Sequence, residues 1–368
     1  MAVSPQAPAR RVLIYRLGSL GDTLIALPAL HLIARAFPGA ERRMLTSFPP
    51  TAKAPPSSVI LEHTGLVDGY FRYNTSTRSP RDLLSLWWQL TRWRPDVLIY
   101  LTGGRGVRSA KRDALFFRAC GIRRLIGVPD TEEMQQNLPE PQLGPGMLEA
   151  EAARLTRNLA VLGDAHLDDP ASWDMHLTAD ERARAAQVLE PVATRPLISV
   201  SVGTKMQAKD WGRDNWRALL ARLAEVYPNY ALVLCGAPEE SETSEFSAEG
   251  WRAGKAGPVV NLCGVLTPRE SAAVFGMAKI FIGHDSGPMH LAAAMQTPCV
   301  AIFSARKPPG IWFPFGRQHQ VLFHQVDCEN CELETCLIEK KKCILSIEID
   351  EVFDRVVPIL AQPLTVLR

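Results

Sequence analysis

The segment FIGHDSGPMHLAAAMQTPCVAIF, residues 281–303, places Asp285, Ser286 and Gly287 between an apolar run and a helix-forming stretch. Pro288 suits the first turn of a helix because it lacks the N–H that would be unpaired there. Free N–H groups and the positive end of the helix dipole favour a phosphate at such a start. We therefore expect a strand–turn–helix–strand unit whose turn binds a phosphate through Ser286 and backbone N–H groups, with Asp285 near sugar hydroxyls or holding the loop.

A second candidate is Asp22, in the stretch YRLGSLGDTLIALPAL that follows an N-terminal apolar run. Asp22 has two interpretations. Its carboxylate could cap the helix that starts there by accepting N–H groups. It could instead be a general base that takes a proton from an attacking hydroxyl. Gly18 and Gly21 do not form G-x-G-x-x-G, and the missing fingerprint disfavours a nicotinamide enzyme.

A third group occurs in ISVSVGTKMQAKDWGRDNW, where Gly203, Thr204 and Lys205 follow an apolar run and Lys209 comes shortly after. Small and hydroxyl residues with lysines suit a diphosphate. A lysine supplies a point charge that offsets the charge developing on a leaving group. The alternative is a lysine on a solvated loop, which is the common environment of this residue.

Acidic residues follow another apolar run in VLCGAPEESE, residues 233–242, where Glu239 and Glu240 come shortly after Gly236. A carboxylate here could bind ribose or sugar hydroxyls. It could equally belong to the acidic first turn that many helices have.

The eight cysteines form two groups. The first group is scattered through apolar segments and is predicted to consist of buried free thiols: Cys120, Cys235, Cys263 and Cys299. The second has the spacing C-x2-C-x4-C-x6-C: Cys328, Cys331, Cys336 and Cys343. Four thiolates at this spacing could enclose a structural, tetrahedral zinc or iron ion. Free thiols and disulfides remain the alternatives.

The whole chain of 368 residues is long enough for two domains. Hydrophobic residues make up 46% and charged residues 22%, and the net charge of +2 gives no field that favours nucleic acid. No apolar run reaches the length of a membrane helix, and the first ten residues resemble a disordered tail rather than a signal peptide. We expect a cytoplasmic protein and leave peripheral contact with the cytoplasmic face of the inner membrane open.

Strand and helix patterns alternate along the chain, which predicts parallel sheets with helices on both faces. The first half contains predicted strands at 11–16, 44–47, 96–101 and 124–128 and helices at 22–37, 83–93, 110–120 and 149–162. The second contains strands at 197–202, 231–235, 259–262, 279–282 and 300–303 and helices at 213–226, 268–278, 289–295 and 349–361. We expect two Rossmann-like domains, 1–170 and 171–348, facing across a cleft, and a C-terminal helix in 349–368 that could pack back on the N-terminal domain.

Four segments together resemble glycosyltransferase family 9, the lipopolysaccharide heptosyltransferases: LGSLGDTLIALPAL, GGRGVRSA, GTKMQAKDWGRDNW and GHDSGPMHLAAA. The resemblance covers most of the chain, and the last segment is the most specific. It implies an α/β protein of the GT-B fold. It also implies an inverting transfer, without a catalytic metal or other cofactor, from a nucleotide sugar, typically ADP-heptose, to a glycan or glycolipid such as the lipopolysaccharide core.

The resemblance also assigns roles to residues. It implies that Asp22 is the catalytic base and that Lys209 is the lysine at the donor phosphates. The other donor-binding positions that it implies are Thr204, Lys205 (where a second hydroxyl is common), Glu239 or Glu240, and the turn Asp285, Ser286, Gly287 and Pro288.

A basic cluster in GGRGVRSAKR, with Arg105, Arg108 and Lys111, could meet an acidic acceptor such as Kdo or a phosphorylated sugar, together with Gly21. The cluster could equally be a solvated helix face. Two other functions stay open: a GT-B enzyme that uses a UDP- or GDP-sugar, including an epimerase, and a non-catalytic nucleotide-sugar sensor in which Asp22 is only a cap.

Overall fold

A computed structural model describes residues 9–47, 56–73 and 79–362. The predicted N-terminal tail lies almost entirely outside these residues, as does the end of the predicted C-terminal segment. The chain divides into two compact units. The first comprises residues 1–139 and 149–176, and the second comprises 140–148 and 177–368.

The first unit is built on a five-stranded parallel sheet with the order β3-β2-β1-β4-β5. Its strands are β1 (Arg11–Tyr15), β2 (Glu41–Ser47), β3 (Gly69–Tyr73), β4 (Val97–Tyr100) and β5 (Arg124–Ile126). Its helices are α1 (Leu20–Ile25), α2 (Leu27–Ala36), α3 (Ser58–Leu61), α4 (Pro80–Trp93), α5 (Val107–Ala119), α6 (Glu132–Gln135) and α7 (Glu151–Arg157).

The second unit is built on a six-stranded parallel sheet with the order β11-β10-β9-β6-β7-β8. Its strands are β6 (Leu197–Ser201), β7 (Ala231–Leu234), β8 (Val259–Asn261), β9 (Ile280–His284), β10 (Cys299–Phe303) and β11 (Gln320–Phe323). Its helices are α8 (Ala179–Leu189), α9 (Arg213–Val226), α10 (Ser241–Ala253), α11 (Pro268–Gly276), α12 (Gly287–Ala294), α13 (Lys342–Leu345) and α14 (Ile349–Leu360).

Central strands of both sheets are covered on both faces, which is why they appear in the sequence as continuous apolar runs. All residues of β6, β9 and β10 are buried. The core beside these strands includes the fully buried rings of Trp211 and Trp216, which meet edge to face with centroids 5.1 Å apart.

Helix α14 belongs to the second unit. Its apolar face, which includes Val352, Phe353 and Val356, is buried in the core formed by β6, β9, β10 and α9. The apolar stripe of the helix already has a partner in the unit to which it is joined.

Two predicted helices differ from the observed ones. The expected helix at 22–37 is two helices, because α1 ends before Ala26 and a new helix, α2, starts at Leu27 with Pro28 in its first turn. The expected helix at 149–162 is α7 followed by a short 3₁₀ turn at Ala160–Leu162. Strands β3 and β11 were not predicted, because their short sequences contain polar residues and show little periodicity.

Among the described residues, no helix is both long and apolar enough to span a bilayer.

A buried ion pair ties α7 to the carboxyl edge of the first sheet. The Arg154 guanidinium donates to both carboxylate oxygens of Glu151, at 2.8 and 2.7 Å. It also donates to the carbonyls of Met134 and Thr102, at 3.0 and 3.1 Å. Because both side chains are nearly fully buried, each charge is stabilised in the protein interior by its partner of opposite charge.

The substitution Arg154→Leu should therefore lower the free energy of unfolding by about 3–5 kcal/mol, since it leaves the Glu151 carboxylate buried without its cation. Urea denaturation at neutral pH measures this loss. The matched control is Arg182→Leu on the exposed side of α8, which should change stability by less than about 0.5 kcal/mol. A loss below about 1 kcal/mol in Arg154→Leu would contradict the structural role given to the pair.

Candidate active site

The loop between β1 and α1 holds Asp22 at the carboxyl edge of the first sheet. Gly18 lies in this loop with φ +144°, and a Cβ on it would lie 2.5 Å from the Cβ of Asp22. Only glycine allows the chain to pass this close to the aspartate. The glycine therefore fixes the position of Asp22 rather than contacting a ligand itself.

Asp22 is the third residue of α1, and Ser19 is the N-cap. The Asp22 Oδ2 atom accepts hydrogen bonds from the Ser19 N–H at 2.8 Å and the Ser19 hydroxyl at 2.9 Å. Asp22 therefore caps the helix, as one interpretation predicted, but it does so from the third helical position of a capping box and not from the N-cap position. Its other oxygen, Oδ1, accepts no hydrogen bond from the described residues, and the side chain is 31% exposed.

Beneath Asp22 lies a buried cation, Arg16, which the sequence analysis missed. Arg16 donates to the carbonyl of Leu101 at 2.9 Å and to the carbonyl of Asp22, and its Nη2 lies 3.9 Å from Asp22 Oδ1. Burial lowers the pKa of Arg16, while the charges of Asp22 and Glu151 raise it. A signal was present, since an arginine directly follows the apolar run VLIY.

Arg105 follows β4, the strand beside β1, and is already bound within the first unit. Its Nη2 donates to the hydroxyls of Tyr15 and Tyr100, both at 3.1 Å, and to Asp113. The backbone N–H groups of Arg105 and Gly106 donate to the Gln135 side chain at 2.9 and 3.0 Å. Arg105 therefore acts first as a brace for this edge of the sheet.

The other residues predicted to bind an acceptor lie on the starts of two helices of the first unit. Gly21 is in the first turn of α1, and Arg108 and Lys111 are exposed in the first turns of α5. Helices α1 and α5 follow β1 and β4, which are adjacent parallel strands, so both helices begin on the same edge of the sheet.

In the second unit, Lys209 and Asp285 come together although they lie 76 positions apart. The Lys209 Nζ atom is 2.5 Å from Asp285 Oδ2 and donates to the Asp285 carbonyl at 3.1 Å. Lys209 lies in the 3₁₀ turn Gln207–Lys209 after β6, and Asp285 follows β9, the adjacent strand. The structure thus joins two sequence-predicted residues into one charged pair, with both side chains largely buried.

The start of α12 also lies at this edge. Ser286 is the N-cap, and Gly287 and Pro288 open the helix. The Ser286 hydroxyl oxygen is buried and has no hydrogen-bond partner among the described residues. The N–H groups of the first turn are the other phosphate donors that a helix start offers.

Glu240, rather than Glu239, lies against the loop after β6. Its Oε2 accepts the Ala237 N–H at 2.8 Å, and a Cβ on Gly203 would lie only 1.9 Å from the Glu240 carboxyl carbon. Burial raises the pKa of Glu240. Glu239 is exposed. Glu240 is thus the carboxylate that contacts Gly203, while both Glu239 and Glu240 act on the charge of Lys205.

Lys205 and Thr204 complete the loop after β6. Burial lowers the pKa of Lys205, and the carboxylates of Glu239 and Glu240 act in the opposite direction. The Thr204 hydroxyl accepts a hydrogen bond from the N–H of Met206 at 3.4 Å, which closes a tight turn.

The cysteine-bearing segment, residues 328–343, braces the Lys209 turn. The N–H of Cys336 donates to the side-chain oxygen of Gln207 at 2.8 Å, and the N–H of Ala208 donates to the carbonyl of Glu334 at 3.0 Å. The Nζ of Lys341 donates to the carbonyl and carboxylate of Asp210 at 2.8 and 3.1 Å. These bonds hold the turn on both sides of Lys209.

The four thiols of this segment do not form a metal site as they are placed. No group of three or more His, Cys, Asp or Glu side chains among the described residues is arranged to hold a metal ion. Cys336 is buried and its Sγ accepts the Lys341 N–H at 3.4 Å, whereas Cys331 is exposed. The described residues thus show no group arranged for the expected zinc or iron, and all eight cysteines are free thiols.

The four scattered cysteines are buried free thiols, as predicted: Cys120, Cys235, Cys263 and Cys299. Burial raises the pKa of Cys120 and Cys263 to about 11. These thiols are therefore protonated at neutral pH and serve as small apolar side chains.

Two parallel Rossmann-like sheets, each with candidate side chains at its carboxyl edge, define a protein of the GT-B class. The fold is similar to that of a family 9 glycosyltransferase from Veillonella parvula, with a TM-score of 0.70 and 17% identity over 95% of this chain and 97% of that one. It is also similar to Escherichia coli heptosyltransferase WaaC, solved with ADP-2-deoxy-2-fluoro heptose, with a TM-score of 0.60 and 20% identity over 95% and 99% of the two chains.

The family model for glycosyltransferase family 9 (heptosyltransferase) matches residues 144–342, more than half of the chain. The chain therefore belongs to this family. It is also 24% identical over 362 residues to lipopolysaccharide heptosyltransferase 1 of Pseudomonas aeruginosa, which covers 89% of this chain and 87% of that protein. The resemblance on which the sequence analysis relied is confirmed.

Two buried histidines make the second unit sensitive to acid. A ring nitrogen of His284 accepts the Trp211 N–H at 3.0 Å, and a ring nitrogen of His319 accepts the Cys299 N–H at 3.2 Å. Protonation of either accepting nitrogen would replace this hydrogen bond with a clash between two N–H groups. Burial lowers the pKa of each to about 4. Both values lie below that of an unfolded histidine, so the stability they allow is present above about pH 6.5 and is lost as the pH falls toward 4.

Each histidine should therefore cost about 2 kcal/mol of unfolding free energy between pH 7 and pH 5. Urea denaturation of the intact chain at the two pH values measures this. In His319→Gln the difference between the two pH values should shrink by about 2 kcal/mol, whereas the exposed control His166→Asn should keep it. An unchanged difference in His319→Gln would show that this histidine titrates normally in the folded protein.

Proposed function

We propose that this family 9 member is an inverting heptosyltransferase that moves heptose from ADP-heptose to a hydroxyl of the lipopolysaccharide core or a related glycan, with Asp22 as general base. The family and the named substrates of its relatives support the donor and acceptor classes. The roles of individual residues are proposed from their positions at the carboxyl edges of the two parallel sheets.

The single observation that carries the proposal is that the two carboxylate oxygens of Asp22 have different environments. Oδ2 is held by Ser19, which fixes the carboxylate on the helix. Oδ1 accepts no hydrogen bond from the described residues and lies on a side chain that is partly exposed at the edge where ligands bind in open α/β sheets. The charged neighbour of Oδ1 is Arg16, whose Nη2 lies 3.9 Å away and makes no hydrogen bond to it, so Oδ1 is the oxygen that we propose accepts the proton.

In the proposed reaction, Asp22 Oδ1 takes the proton of the acceptor hydroxyl. The hydroxyl oxygen then forms a bond to the anomeric carbon of the donor, and the bond from that carbon to the diphosphate oxygen breaks. The electron pair of the broken bond leaves with ADP, and the configuration at the anomeric carbon inverts. The carboxylate ends the step protonated and returns the proton to water.

The positive charge of Lys209 would stabilise the negative charge that develops on the diphosphate. Its ammonium group is already held in place by Asp285, so it needs little reorganisation when the donor binds. The N–H groups of Gly287 and its neighbours at the start of α12 would bind the same anion. We propose that these groups of the chain stabilise the diphosphate without a catalytic metal.

The remaining donor contacts follow from the loop after β6. Thr204 and Lys205 lie on that loop, and Glu240 packs against it at Gly203. We propose Glu240 for the ribose or sugar hydroxyls, because a carboxylate beside a backbone turn can accept hydrogen bonds from two adjacent hydroxyls.

The first test is Asp22→Asn. The amide keeps an oxygen to accept the Ser19 hydrogen bonds but cannot take a proton, so transfer should fall by about 10²–10⁴-fold. A heptose-transfer assay measures the rate, and calorimetry with ADP should give an affinity within about two-fold of the wild type.

The matched control is Asp164→Asn, which changes an exposed aspartate of the same unit and should leave transfer unchanged. Thermal unfolding should show that Asp22→Asn remains folded. Wild-type transfer by Asp22→Asn would eliminate the general-base role. Loss of ADP binding in that variant would indicate a structural defect instead.

The second test concerns the donor. Calorimetric titration with ADP, UDP and GDP should show a preference for ADP, and Lys209→Met should weaken ADP binding by about ten-fold or more, because it removes the cation at the diphosphate. The exposed control Lys255→Met should bind ADP normally. A preference for UDP or GDP would contradict ADP-heptose as the donor and indicate a different nucleotide sugar. Binding of no nucleotide would overturn the proposal.

A further inference from the structure

Arg306, in the loop that follows β10, is a buried cation that the proposed reaction does not use. The residue is only 7% exposed. Its guanidinium donates through Nε to the Leu333 carbonyl at 2.7 Å and through Nη2 to the Glu332 carbonyl at 2.5 Å. Among the described residues, no carboxylate forms an ion pair with Arg306, and its Nη1 atom has no acceptor. A buried charge without a counter-charge is costly, so this guanidinium is suited to an anionic ligand.

The acidic side chain beside this loop already has another partner. The Glu332 carboxylate pairs with the ammonium group of Lys307. Lys307 is the main cause that holds the pKa of Glu332 below its usual range, and the charge of Arg306 adds to it. The positive charge of Arg306 is therefore largely available to a ligand.

Strand pairing brings this loop to the candidate donor site. Strand β10 is parallel to β9, with Ile302 beside His284, and the Asp285 N–H donates to the Ile302 carbonyl at 3.3 Å. The loop after β10 thus begins next to the turn that opens α12. Its first residue, Ser304, has a buried hydroxyl without a hydrogen-bond partner among the described residues.

The cysteine-bearing segment connects Arg306 to the turn that holds Lys209. The Leu333 carbonyl accepts from Arg306, and the carbonyl of the next residue, Glu334, accepts the Ala208 N–H at 3.0 Å. Consecutive Cα atoms are about 3.8 Å apart, so the guanidinium and the residue before Lys209 contact adjacent positions of one segment. Arg306 and the Lys209 turn therefore lie close together at this carboxyl edge.

The lysines at this edge are already offset by acidic groups. Lys209 is 2.5 Å from the Asp285 carboxylate, and the charges of Glu239 and Glu240 act on Lys205. These two lysines thus face three carboxylates. A bound diphosphate would add further negative charge, so another cation is required to stabilise it.

We propose that Arg306 binds the distal phosphate of the nucleotide-sugar donor, the phosphate that carries the sugar. This inference rests on the proposed function. Glu240 follows β7, Lys209 follows β6, the turn before α12 follows β9 and Arg306 follows β10, and these four strands are neighbours in the order β10-β9-β6-β7. A donor whose ribose lies at Glu240 therefore extends its diphosphate toward β10.

The guanidinium has the chemistry for this position. Its planar N–H groups can donate to two phosphate oxygens, and its charge persists at every physiological pH. The distal phosphate gains negative charge when its bond to the anomeric carbon breaks. A cation already fixed beside it by two carbonyls stabilises that charge with little reorganisation.

Calorimetry of the full chain with ADP and with AMP, in buffer that contains EDTA, tests the inference. AMP lacks the distal phosphate, so Arg306→Gln should weaken ADP binding by about ten-fold or more and change AMP binding by less than about two-fold. Arg306→Lys keeps the charge but not the planar fork, and should weaken ADP binding by only about three-fold. In the heptose-transfer assay, Arg306→Gln should lower kcat by about ten-fold or more and leave the KM for the acceptor unchanged.

The matched control is Arg317→Gln, which removes an exposed arginine of the same unit that precedes β11 and so lies at the opposite edge of the sheet. This variant should bind ADP and AMP like the wild type. Thermal unfolding should show that Arg306→Gln is folded, and Arg306→Lys gives the same comparison if it is not. An unchanged ADP affinity in Arg306→Gln would overturn the inference. So would an equal loss for ADP and AMP in both Arg306 variants, because Arg306 would then only hold the cysteine-bearing segment.

The same measurements separate this inference from the proposed function. Wild-type ADP binding and transfer, together with an unaffected Arg306→Gln variant, would reject the role of Arg306 alone. ADP binding that depends on Arg306 in a chain that transfers no heptose would retain the phosphate contact and reject the proposed reaction. A wild type that binds no ADP would overturn both.

Discussion

Parallel strand order is the constraint on which both candidate sites depend. In a parallel sheet every strand delivers its carboxyl end to one edge, so residues far apart in the chain become neighbours there. Lys209 follows β6 and Asp285 follows β9, and the pairing of these strands places the two side chains 2.5 Å apart at their charged atoms. The same rule brings the loops after β1 and β4 to one edge of the first sheet.

Polar groups at these edges are stabilised by partners that are themselves buried. Arg16 is enclosed beneath Asp22, and its two terminal nitrogens use backbone carbonyls as acceptors. His284 ends β9 inside the core and accepts the Trp211 N–H, so it connects the strand before Asp285 to the chain just after Lys209. A buried polar group is costly unless it is paired, and these pairs therefore fix the loops that carry the candidate side chains.

Much of this arrangement could be predicted from the sequence, because apolar runs and glycine-containing turns are local signals. The strands β1, β6, β9 and β10 and the turn at Asp285 were predicted for that reason. Other features depend on packing between distant segments. The contact of Glu240 with Gly203 and the ion pair between Lys209 and Asp285 have no local signal. The strands β3 and β11 escaped prediction because the short segments GYFRY and QVLF mix polar with apolar residues, whereas the edge strands β5 and β8 were predicted.

The cysteine-bearing segment makes contacts that its residue types do not indicate. Its spacing predicts a metal, yet its contacts are backbone and lysine hydrogen bonds to the turn that holds Lys209. Lys341 has a left-handed backbone and reaches Asp210 from it. Because Lys209 lies between Gln207 and Asp210, which are both held by this segment, the geometry of the candidate donor site is set by residues more than 100 positions further along the chain.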